Sequence, residues 1–255
     1  MGLMKGKRGV VFGVANDKSI AWGVAQQLHA AGAELAFTYL NDALEKRVRP
    51  LAESLGANII LPCDVGSDKQ IEDVFAELAK VWDSIDFVVH AVAFANREDL
   101  KNPFSQTSRE GFNLAMDISA YSLVAVTREA IPLMRQGGSI VTMSYLGAMM
   151  AVPDYNVMGV AKAALESSVR YLSAELGQQN IRVNAVSAGP IKTLAASGIG
   201  NFKSKLHIME ERSPMRRTVT QEEVGKASLY LLSDLSSGVT GEVHYVDCGF
   251  NISAA

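Results

Sequence analysis

The chain has 255 residues, of which 48% are hydrophobic and 20% are charged, and its formal net charge is -3. This length suits one large α/β domain or two small ones, and the apolar content is ample for a core. The slightly acidic balance argues against a nucleic-acid-binding protein, because neutralising phosphates requires a concentrated basic surface.

In chain order, the N-terminal part alternates apolar stretches with stretches of helical periodicity. Gly32 separates the first helical stretch from the apolar and aromatic stretch Glu34 to Tyr39, and glycine commonly ends a helix. The predicted strands are 9–14, 34–39, 58–62 and 87–91, and the predicted helices between them are 19–31, 42–55 and 68–81. This alternation is typical of parallel strands joined by helical crossovers.

The pattern continues to the C-terminal end. It predicts helices at 109–134, 156–177 and 221–232 and strands at 139–143, 182–187 and 242–246. No linker, low-complexity run or repeat interrupts it, so we expect a single domain over residues 1–255. Most strands are apolar almost throughout, as in a sheet that helices cover on both faces. We therefore predict an α/β fold of the Rossmann type, a doubly wound parallel sheet of about seven strands.

Sheets of this kind bind ligands outside the carboxyl ends of their strands, so the residues after each strand are the first candidates for a site. After the first strand, Gly13 begins a turn that opens onto a helix at Ser19 and Ile20. Free backbone N–H groups at such a helix start attract a pyrophosphate. The alternative is an ordinary turn in which Ser19 serves only as the helix N-cap.

Two further segments concern the adenosine half of a dinucleotide. Asp64 and Val65 follow the third strand, where a carboxylate can accept a hydrogen bond from the adenine amino group. A helix-capping aspartate is the alternative. After the second strand, no basic residue occurs before Lys46 and Arg47. A 2′-phosphate needs a nearby cation, so this segment favours NADH over NADPH.

Tyr155 and Lys162 lie near the start of the long helix, two turns apart on one face, so their phenol and ammonium groups can converge on one ligand. Tyr39 and Lys46 have the same spacing. However, Tyr39 ends a strand on the adenine side, whereas Tyr155 follows the fifth strand, beside the expected nicotinamide. We therefore predict that Tyr155 and Lys162 are the catalytic pair. Tyr145 either shares their pocket or packs at the end of the strand.

A glycine and a proline follow the sixth strand and fix a turn that can present backbone amides to a nicotinamide carboxamide. Residues from about 191 to 206 are predicted to form a substrate lid. Its apolar wall would consist of Ile199, Phe202 and Leu206. The alternative is a surface helix that packs these three side chains inward.

The cysteines and histidines do not indicate a metal site. Cys63 and Cys248 lie far apart without the spacing of metal ligands, and the four histidines are scattered. We therefore expect no metal, no disulfide framework and a reducing compartment. The N-terminus lacks the features of a signal peptide, and no apolar run approaches the roughly 20 residues that span a bilayer. These features predict a cytoplasmic protein without a membrane partner.

Over nearly its whole length the chain resembles bacterial enoyl-acyl-carrier-protein reductases, of the short-chain dehydrogenase/reductase superfamily. The resemblance rests on three motifs: Gly13-x5-Ser19-Ile20-Ala21, Tyr145 with Tyr155-x6-Lys162, and the segment from Ser187 to Ala195. It implies a homotetramer that uses NADH to reduce a trans-2-enoyl thioester on acyl carrier protein, in the last step of fatty-acid elongation.

The resemblance also implies roles for single residues. Tyr155 would donate a hydrogen bond to the enolate oxygen formed by hydride addition, Lys162 would hold the ribose, and Tyr145 would be the second active-site tyrosine. Ala95 would contact the substrate together with the two tyrosines. The implied cofactor-binding residues are Gly13, Ser19, Ile20, Leu40, Asp64, Val65, Val92, Lys162, Ile191, Lys192, Thr193, Leu194 and Ala195.

Some positions depart from the family pattern. Ala91 and Ala93 replace a commoner serine and glycine, and Leu40 stands where NADH-using members often have glutamine. The methyl group of Ala93 is expected to narrow the site. Cys248 stands where glycine is common in the family. Glycine is favoured where the φ angle is positive, and the sequence alone does not decide whether this turn needs such an angle.

Two other functions remain open at this point. One is a different carbonyl reductase or dehydrogenase of the same superfamily, whose usual lysine lies four residues after the tyrosine, where this chain has Gly159. The other is a non-catalytic NAD(H)-binding protein, against which the presence of both Tyr155 and Lys162 counts. Turnover of NADH with an enoyl thioester distinguishes the three.

Overall fold

The computed structural model describes residues 2–193 and 202–253, and in these ranges seven strands form one sheet. Every neighbouring pair of strands is parallel, and the order across the sheet is β3-β2-β1-β4-β5-β6-β7. The strands are β1 Arg8–Phe12, β2 Glu34–Tyr39, β3 Ile59–Pro62, β4 Phe87–His90, β5 Gly138–Ser144, β6 Ile181–Ala188 and β7 Val243–Val246. The predicted doubly wound parallel sheet is confirmed.

Helices cover both faces of the sheet. In the described ranges they are α1 Ile20–Ala30, α2 Asp42–Ser54, α3 Asp68–Val81, α4 Arg97–Lys101, α5 Arg109–Met116, α6 Ser122–Ala130, α7 Asn156–Leu176, α8 Phe202–Arg212 and α9 Gln221–Leu232. A π-helical turn, Asp117–Tyr121, joins α5 to α6. The single helix predicted at 109–134 is therefore two helices. At the junction, the Ser122 hydroxyl donates a hydrogen bond to the Ile118 carbonyl at 2.7 Å.

Alternate residues of the strands fill two apolar cores, one on each side of the sheet. In β1, Val10 and Phe12 point into the core shared with α3, α6 and α7, whereas Val11 points into the core shared with α1, α2 and α9. Because both faces of the strand are buried, apolar residues occupy successive positions instead of alternating with polar ones. This packing explains the continuous apolar runs in the sequence.

Several boundaries differ from the prediction. β1 ends at Phe12, short of the predicted end at Val14, because Gly13 has a φ angle of 100° and turns the chain out of the sheet. The short helix α4 is not predicted, since five residues are too few to show a helical period. α8 begins inside the predicted lid and continues beyond it to Arg212.

The fold brings the ends of four strands together. The carboxyl ends of β1, β4, β5 and β6 lie along one edge of the sheet, and the order of the strands reverses between β1 and β4. Doubly wound sheets bind ligands at such a switch point. Gly13, Ala91, Tyr145 and Gly189 are the residues that directly follow these four strands.

Candidate active site

The turn after β1 requires glycine at its first position. A Cβ atom on Gly13 would overlap the carbonyl group of Ala91, the residue that follows β4. The Ser19 hydroxyl oxygen accepts hydrogen bonds from the backbone N–H groups of Ala15 and Asn16, at 2.9 and 3.1 Å. Ser19 occupies the N-cap position of α1, but its side chain bonds to the turn instead of to the helix. The start of α1, as described, thus lacks a side-chain cap that would compete with an anion.

The candidate adenosine residues lie after β2 and β3. The carboxylate of Asp64 accepts a hydrogen bond from the N–H group of Gly66 at 2.9 Å. It does not cap α3, because the N-cap of that helix is Ser67. Val65 is buried in the core, and Leu40 is exposed after β2. The alternative of a helix-capping aspartate is therefore wrong, while the half-exposed Asp64 remains available to a ligand.

Tyr145, Tyr155 and Lys162 come together where β5 meets α7. The rings of the two tyrosines contact edge to face, with their centroids 4.9 Å apart. The ammonium group of Lys162 donates a hydrogen bond to the carbonyl oxygen of Met143 at 2.7 Å. Tyr155 and Lys162 are only 8% and 5% exposed. The sequence-predicted pair is thus buried on one helix, with Tyr145 packed against it.

Two glycines allow this close packing. A Cβ atom on Gly147 would lie 2.5 Å from the ring of Tyr155, and one on Gly159 would lie 2.8 Å from the carbonyl oxygen of Gly147. Both distances are shorter than side chains tolerate without a shift of the loop or the helix. A lysine at position 159, as in other members of the superfamily, does not fit this arrangement.

Burial sets the protonation states of the three residues. It raises the pKa of the Tyr155 phenol, and the neighbouring Tyr145 and Glu166 act in the same direction. Burial also raises the pKa of Tyr145. It lowers the pKa of Lys162 from 10.5 to about 8, and Glu166 opposes this change. At neutral pH the centre therefore offers a neutral phenol as donor beside a cationic ammonium group.

The residues after β4 form the wall opposite α7. Ala95 is half-buried and packs against the apolar cluster that contains Tyr155, and Val92 packs against the core between the sheet and α7. The Ser119 hydroxyl accepts from the N–H group of Phe94 at 2.9 Å and donates to its carbonyl oxygen at 3.0 Å. Ala93 is exposed. The backbone next to Ala95 is thus held by a side chain from the π-helical turn.

The segment after β6 is described only in part. Ile191 is half-buried against the core on the α1 side, Lys192 is exposed, and Thr193 is half-buried. Leu206 on α8 is buried. The predicted residues Leu194, Ala195 and Ile199, and the side chain of Phe202, lie outside the described residues.

Three buried polar residues near the centre are absent from the sequence prediction. The Ser144 hydroxyl donates to the Glu166 carboxylate at 2.5 Å. His90 is fully buried between the hydroxyl groups of Thr142 and Ser122, at 2.9 and 2.8 Å. Burial lowers the pKa of His90 to about 3, so it is neutral and has a structural role. Glu166 had one available signal, since it lies four residues after Lys162 and shares its helix face.

The described residues hold no group of three or more His, Cys, Asp or Glu side chains able to bind a metal ion. In the same ranges, no helix is long and apolar enough to cross a membrane.

Comparison with known proteins finds one family and close relatives. A family model described as enoyl-(acyl carrier protein) reductase matches residues 13–251. An NADH enoyl-[acyl-carrier-protein] reductase of Nostoc is 56% identical over 252 residues, which cover 98% of both chains. NADH enoyl-[acyl-carrier-protein] reductase 1 of Rhizobium meliloti is 58% identical over 250 residues, which cover 98% of this chain and 92% of the relative.

Solved structures agree with these relatives. The enoyl-acyl carrier protein reductase of Bacillus cereus, crystallised with NADP+ and an indole naphthyridinone, has a TM-score of 0.98 and 54% identity, with both chains covered completely. The enoyl-(acyl-carrier-protein) reductase of Anaplasma phagocytophilum, crystallised with NAD, has a TM-score of 0.96 and 54% identity, and 99% of this chain and 97% of that chain are covered.

Proposed function

The chain belongs to the enoyl-(acyl carrier protein) reductase family, and from this premise we propose that Tyr155, Lys162 and Tyr145 form its catalytic centre. The protein is an NADH-dependent oxidoreductase that reduces the carbon–carbon double bond of an enoyl thioester on acyl carrier protein, in fatty-acid elongation. The observation that carries the proposal is the buried phenol of Tyr155, packed edge to face on Tyr145 and two helical turns from the buried Lys162.

When bound, NADH would supply the hydride that adds to the β carbon of the thioester, and the α carbon of the resulting enolate would then take a proton from water. Tyr155, which burial keeps protonated, donates a hydrogen bond to the thioester carbonyl oxygen, where negative charge develops. Lys162 would add positive potential near that oxygen and would hold the ribose hydroxyl groups of the bound cofactor. Tyr145 supports the Tyr155 ring from the side and excludes water from it. Ala95 offers its backbone to the substrate.

The turn between β1 and α1 fits the pyrophosphate of the cofactor. The Ser19 side chain is engaged with the turn and does not cap α1, so it does not compete with an anion for the first N–H groups of the helix. Ile20, Asp64, Val65, Val92, Ile191, Lys192, Thr193, Leu194 and Ala195 complete the proposed cofactor site. Leu40 would lie beside the adenosine ribose. Near this position, Arg49 pairs with Glu45, which supports NADH over NADPH because that guanidinium is already engaged.

We also propose that residues 1–255 form one domain with a substrate lid at about 191–206, in which Ile199, Phe202 and Leu206 would line the acyl chain. Leu206 on α8 is buried, which agrees with a wall that faces the substrate and equally with the alternative of a surface helix that packs this side chain inward. We also propose a homotetramer in the cytoplasm. The cysteines, which are buried and unpaired in the described ranges, agree with a reducing compartment.

The test is the loss of NADH absorbance with crotonyl and longer enoyl thioesters, with NADPH and with a ketone in parallel. We expect NADH-dependent reduction of the enoyl thioesters and a loss of about 100-fold or more in kcat/KM for Tyr155→Phe and for Lys162→Met. Tyr39→Phe is the matched control, because Tyr39 and Lys46 share the spacing, and it should retain wild-type turnover.

Each alternative function gives a different result. Turnover of ketones alone would indicate a carbonyl reductase, and NADH binding without turnover would indicate a non-catalytic protein. Loss of activity in Tyr39→Phe but not in Tyr155→Phe would move the catalytic centre to the other pair.

A further inference from the structure

A buried carboxylate lies beneath the catalytic centre, and the mechanism above does not use it. Glu166 is one turn beyond Lys162 on α7 and is only 4% exposed. Its carboxylate accepts a hydrogen bond from the hydroxyl group of Ser144 at 2.5 Å. Ser144 is the last residue of β5 and directly precedes Tyr145. The contact therefore connects α7 to the strand end that carries the second active-site tyrosine.

Lys162 and Glu166 hold two successive residues of β5. Lys162 donates to the carbonyl oxygen of Met143, and Glu166 accepts from the side chain of Ser144. These two contacts fix the helix against the strand end. Lys162 and Glu166 lie on the same helix face. Through their contacts with Met143 and Ser144, the position of the Lys162 ammonium group is coupled to the position of Tyr145.

Packing alone does not account for a carboxylate here. Burial of a charged group costs several kcal/mol unless opposite charges and hydrogen bonds compensate for it, and an apolar residue of similar size usually gives a more stable contact. Apart from Lys162 and Ser173, which donate to carbonyl oxygens of β5 and β6, the side chains beside Glu166 at this contact are apolar, with Leu165 and Val169 on either side of it. A stability role would therefore be met better by leucine or methionine.

We propose that Glu166, buried one turn from Lys162 on the same face of α7 and hydrogen-bonded to Ser144, is a positioning residue: it places a negative charge near the buried ammonium group and, through Ser144, fixes Tyr145 at the catalytic centre. This inference rests on the proposed function, because it assigns a role within the same site.

The charges around Glu166 and Lys162 determine how the loss of the Glu166 charge changes the pKa of Lys162. Glu166 is faced by Lys162 and Arg170 on α7, by Tyr155 at the start of that helix and by Tyr245 on β7. Lys162 is also faced by the neutral His90 on β4. Burial raises the pKa of Glu166, and Ser144, Arg170 and Lys162 oppose that rise.

Removal of the Glu166 charge is therefore expected to lower the pKa of Lys162. The pKa of Lys162 is already about 8 because burial lowers it, and Glu166 is the group that opposes this effect. Without that charge the pKa falls further, so the ammonium group loses its proton at a lower pH. The alkaline limb of the activity profile should then move toward neutral pH.

The test compares variants that separate charge from contact. Glu166→Gln removes the charge but keeps an oxygen that accepts from Ser144. We expect the alkaline limb of its kcat/KM profile to move by about one pH unit toward neutral, and kcat/KM at about pH 6 to stay within about threefold of wild type. The Kd for NADH, measured by fluorescence, should rise over the same alkaline range.

Two further variants complete the comparison. Ser144→Ala keeps the charge but removes the contact, so kcat should fall by about tenfold at every pH while the alkaline limb stays in place. Glu175→Gln makes the same charge change at an exposed position of α7 and should leave both kcat and the limb unchanged.

If the alkaline limb of the kcat/KM profile does not move in folded Glu166→Gln, the inference is overturned. The same holds if that limb moves equally in Glu175→Gln. If Glu166→Gln does not fold, Glu166→Asp replaces it. The shorter side chain keeps the charge, so its limb should stay in place, and a shift of about one unit would overturn the role of the charge.

The two proposals fail in distinguishable ways. If wild type reduces enoyl thioesters but the limb does not respond to Glu166→Gln, only the positioning role is wrong. If wild type does not turn over, the proposed function is wrong, and the pH dependence of NADH binding still tests Glu166.

Discussion

Gly13 is the residue at which the chain leaves β1 and approaches the residue after β4. Its φ angle of 100° is one that side chains rarely adopt, and a Cβ atom would also overlap the Ala91 carbonyl. A side chain at this position would therefore cost backbone strain at the positive φ angle and, separately, a steric overlap with Ala91. The close approach of the two backbones is what brings the ends of β1 and β4 together at the cofactor site.

We expect Gly13→Ala to lower the free energy of unfolding by about 2 to 4 kcal/mol and to weaken NADH binding by more than about tenfold, because the turn must move. Urea unfolding and NADH fluorescence measure these changes. Gly56→Ala is the control, since Gly56 has a φ angle of 72° with nothing within 4 Å of a new Cβ atom. It should cost about 1 kcal/mol and leave NADH binding intact. Equal effects of the two variants would show that the Ala91 contact does not matter.

Cys248 lies in a turn for which the sequence does not decide whether a positive φ angle is needed. Its φ angle is 58°, in the left-handed region, and the neighbouring Gly249 has a φ angle of 82°. The turn after β7 does need a positive φ angle, so glycine would fit it with less strain. Burial raises the pKa of the Cys248 thiol, which agrees with the interpretation that it is not a nucleophile.

At the scale of the element, the start of α7 has an unusual backbone. Asp154 and Asn156, on either side of Tyr155, have positive φ angles of 58° and 40°. The Asn156 side chain donates to the carbonyl oxygens of Leu100 and Asn102, at 3.0 and 2.8 Å. The unpredicted helix α4 thus anchors the turn that carries Tyr155. Strained backbone of this kind is typical of functional sites.

α9 begins with a capping box that an ion pair extends. Thr220 and Glu223 exchange side-chain to backbone hydrogen bonds, and Arg217 binds the same carboxylate at 2.6 and 2.9 Å. These contacts lower the pKa of Glu223 from 4.5 to about 2, with the Arg217 hydrogen bond as the largest cause. The helix packs on α1 below the cofactor turn, where Gln221 donates to the Ser19 carbonyl oxygen.

We expect Glu223→Gln to lower the free energy of unfolding by about 1 kcal/mol at neutral pH, because solvent screens this half-exposed pair. A carboxylate whose folded pKa is depressed stabilises the protein above its unfolded pKa, and this stabilisation is lost as the pH falls through the folded pKa. The difference from wild type should therefore shrink as pH decreases from about 4.5 toward 2. Urea unfolding at several pH values measures it, and Glu222→Gln is the exposed control. A constant difference would contradict the pKa assignment.

At the scale of the whole molecule, α7 presents apolar side chains to solvent on the side away from the sheet. Tyr171 is 78% exposed and Val160 is 37% exposed, and the two residues lie three turns apart on one face. Exposed apolar residues aligned on one helix commonly mark a contact between subunits. They support the proposed homotetramer.

We expect Tyr171→Glu to dissociate the tetramer into smaller species, because a buried charge without a partner costs several kcal/mol at an interface. Analytical ultracentrifugation measures the mass in solution. Val81→Glu is the matched control, since Val81 is also exposed but lies on α3. A wild-type protein that sediments as a monomer, or a tetramer that survives Tyr171→Glu, would place the interface elsewhere or exclude it.

The sequence alone determined the architecture and most of the elements. Residues close in the chain decide whether a stretch alternates, repeats every 3.6 residues or ends at a glycine, and these patterns place β2, α3 and α9 at their observed boundaries. The order of strands and helices then limits the topology to a parallel doubly wound sheet. The motif of Tyr155 and Lys162, together with its position after β5, indicated the candidate centre and its chemistry.

Only the tertiary structure decided how that centre is supported. Ser19 turns back onto Ala15 instead of capping α1, and Glu166 meets Ser144 across 22 positions of the chain. His90 is neutral because it is fully buried, and the hydroxyl groups of Thr142 and Ser122 supply its hydrogen-bond partners. Contacts of this kind depend on which strand ends and helix faces become neighbours, and burial then changes the pKa values of the groups involved. No local pattern contains that information, because partners distant in the chain leave no periodic trace in its order.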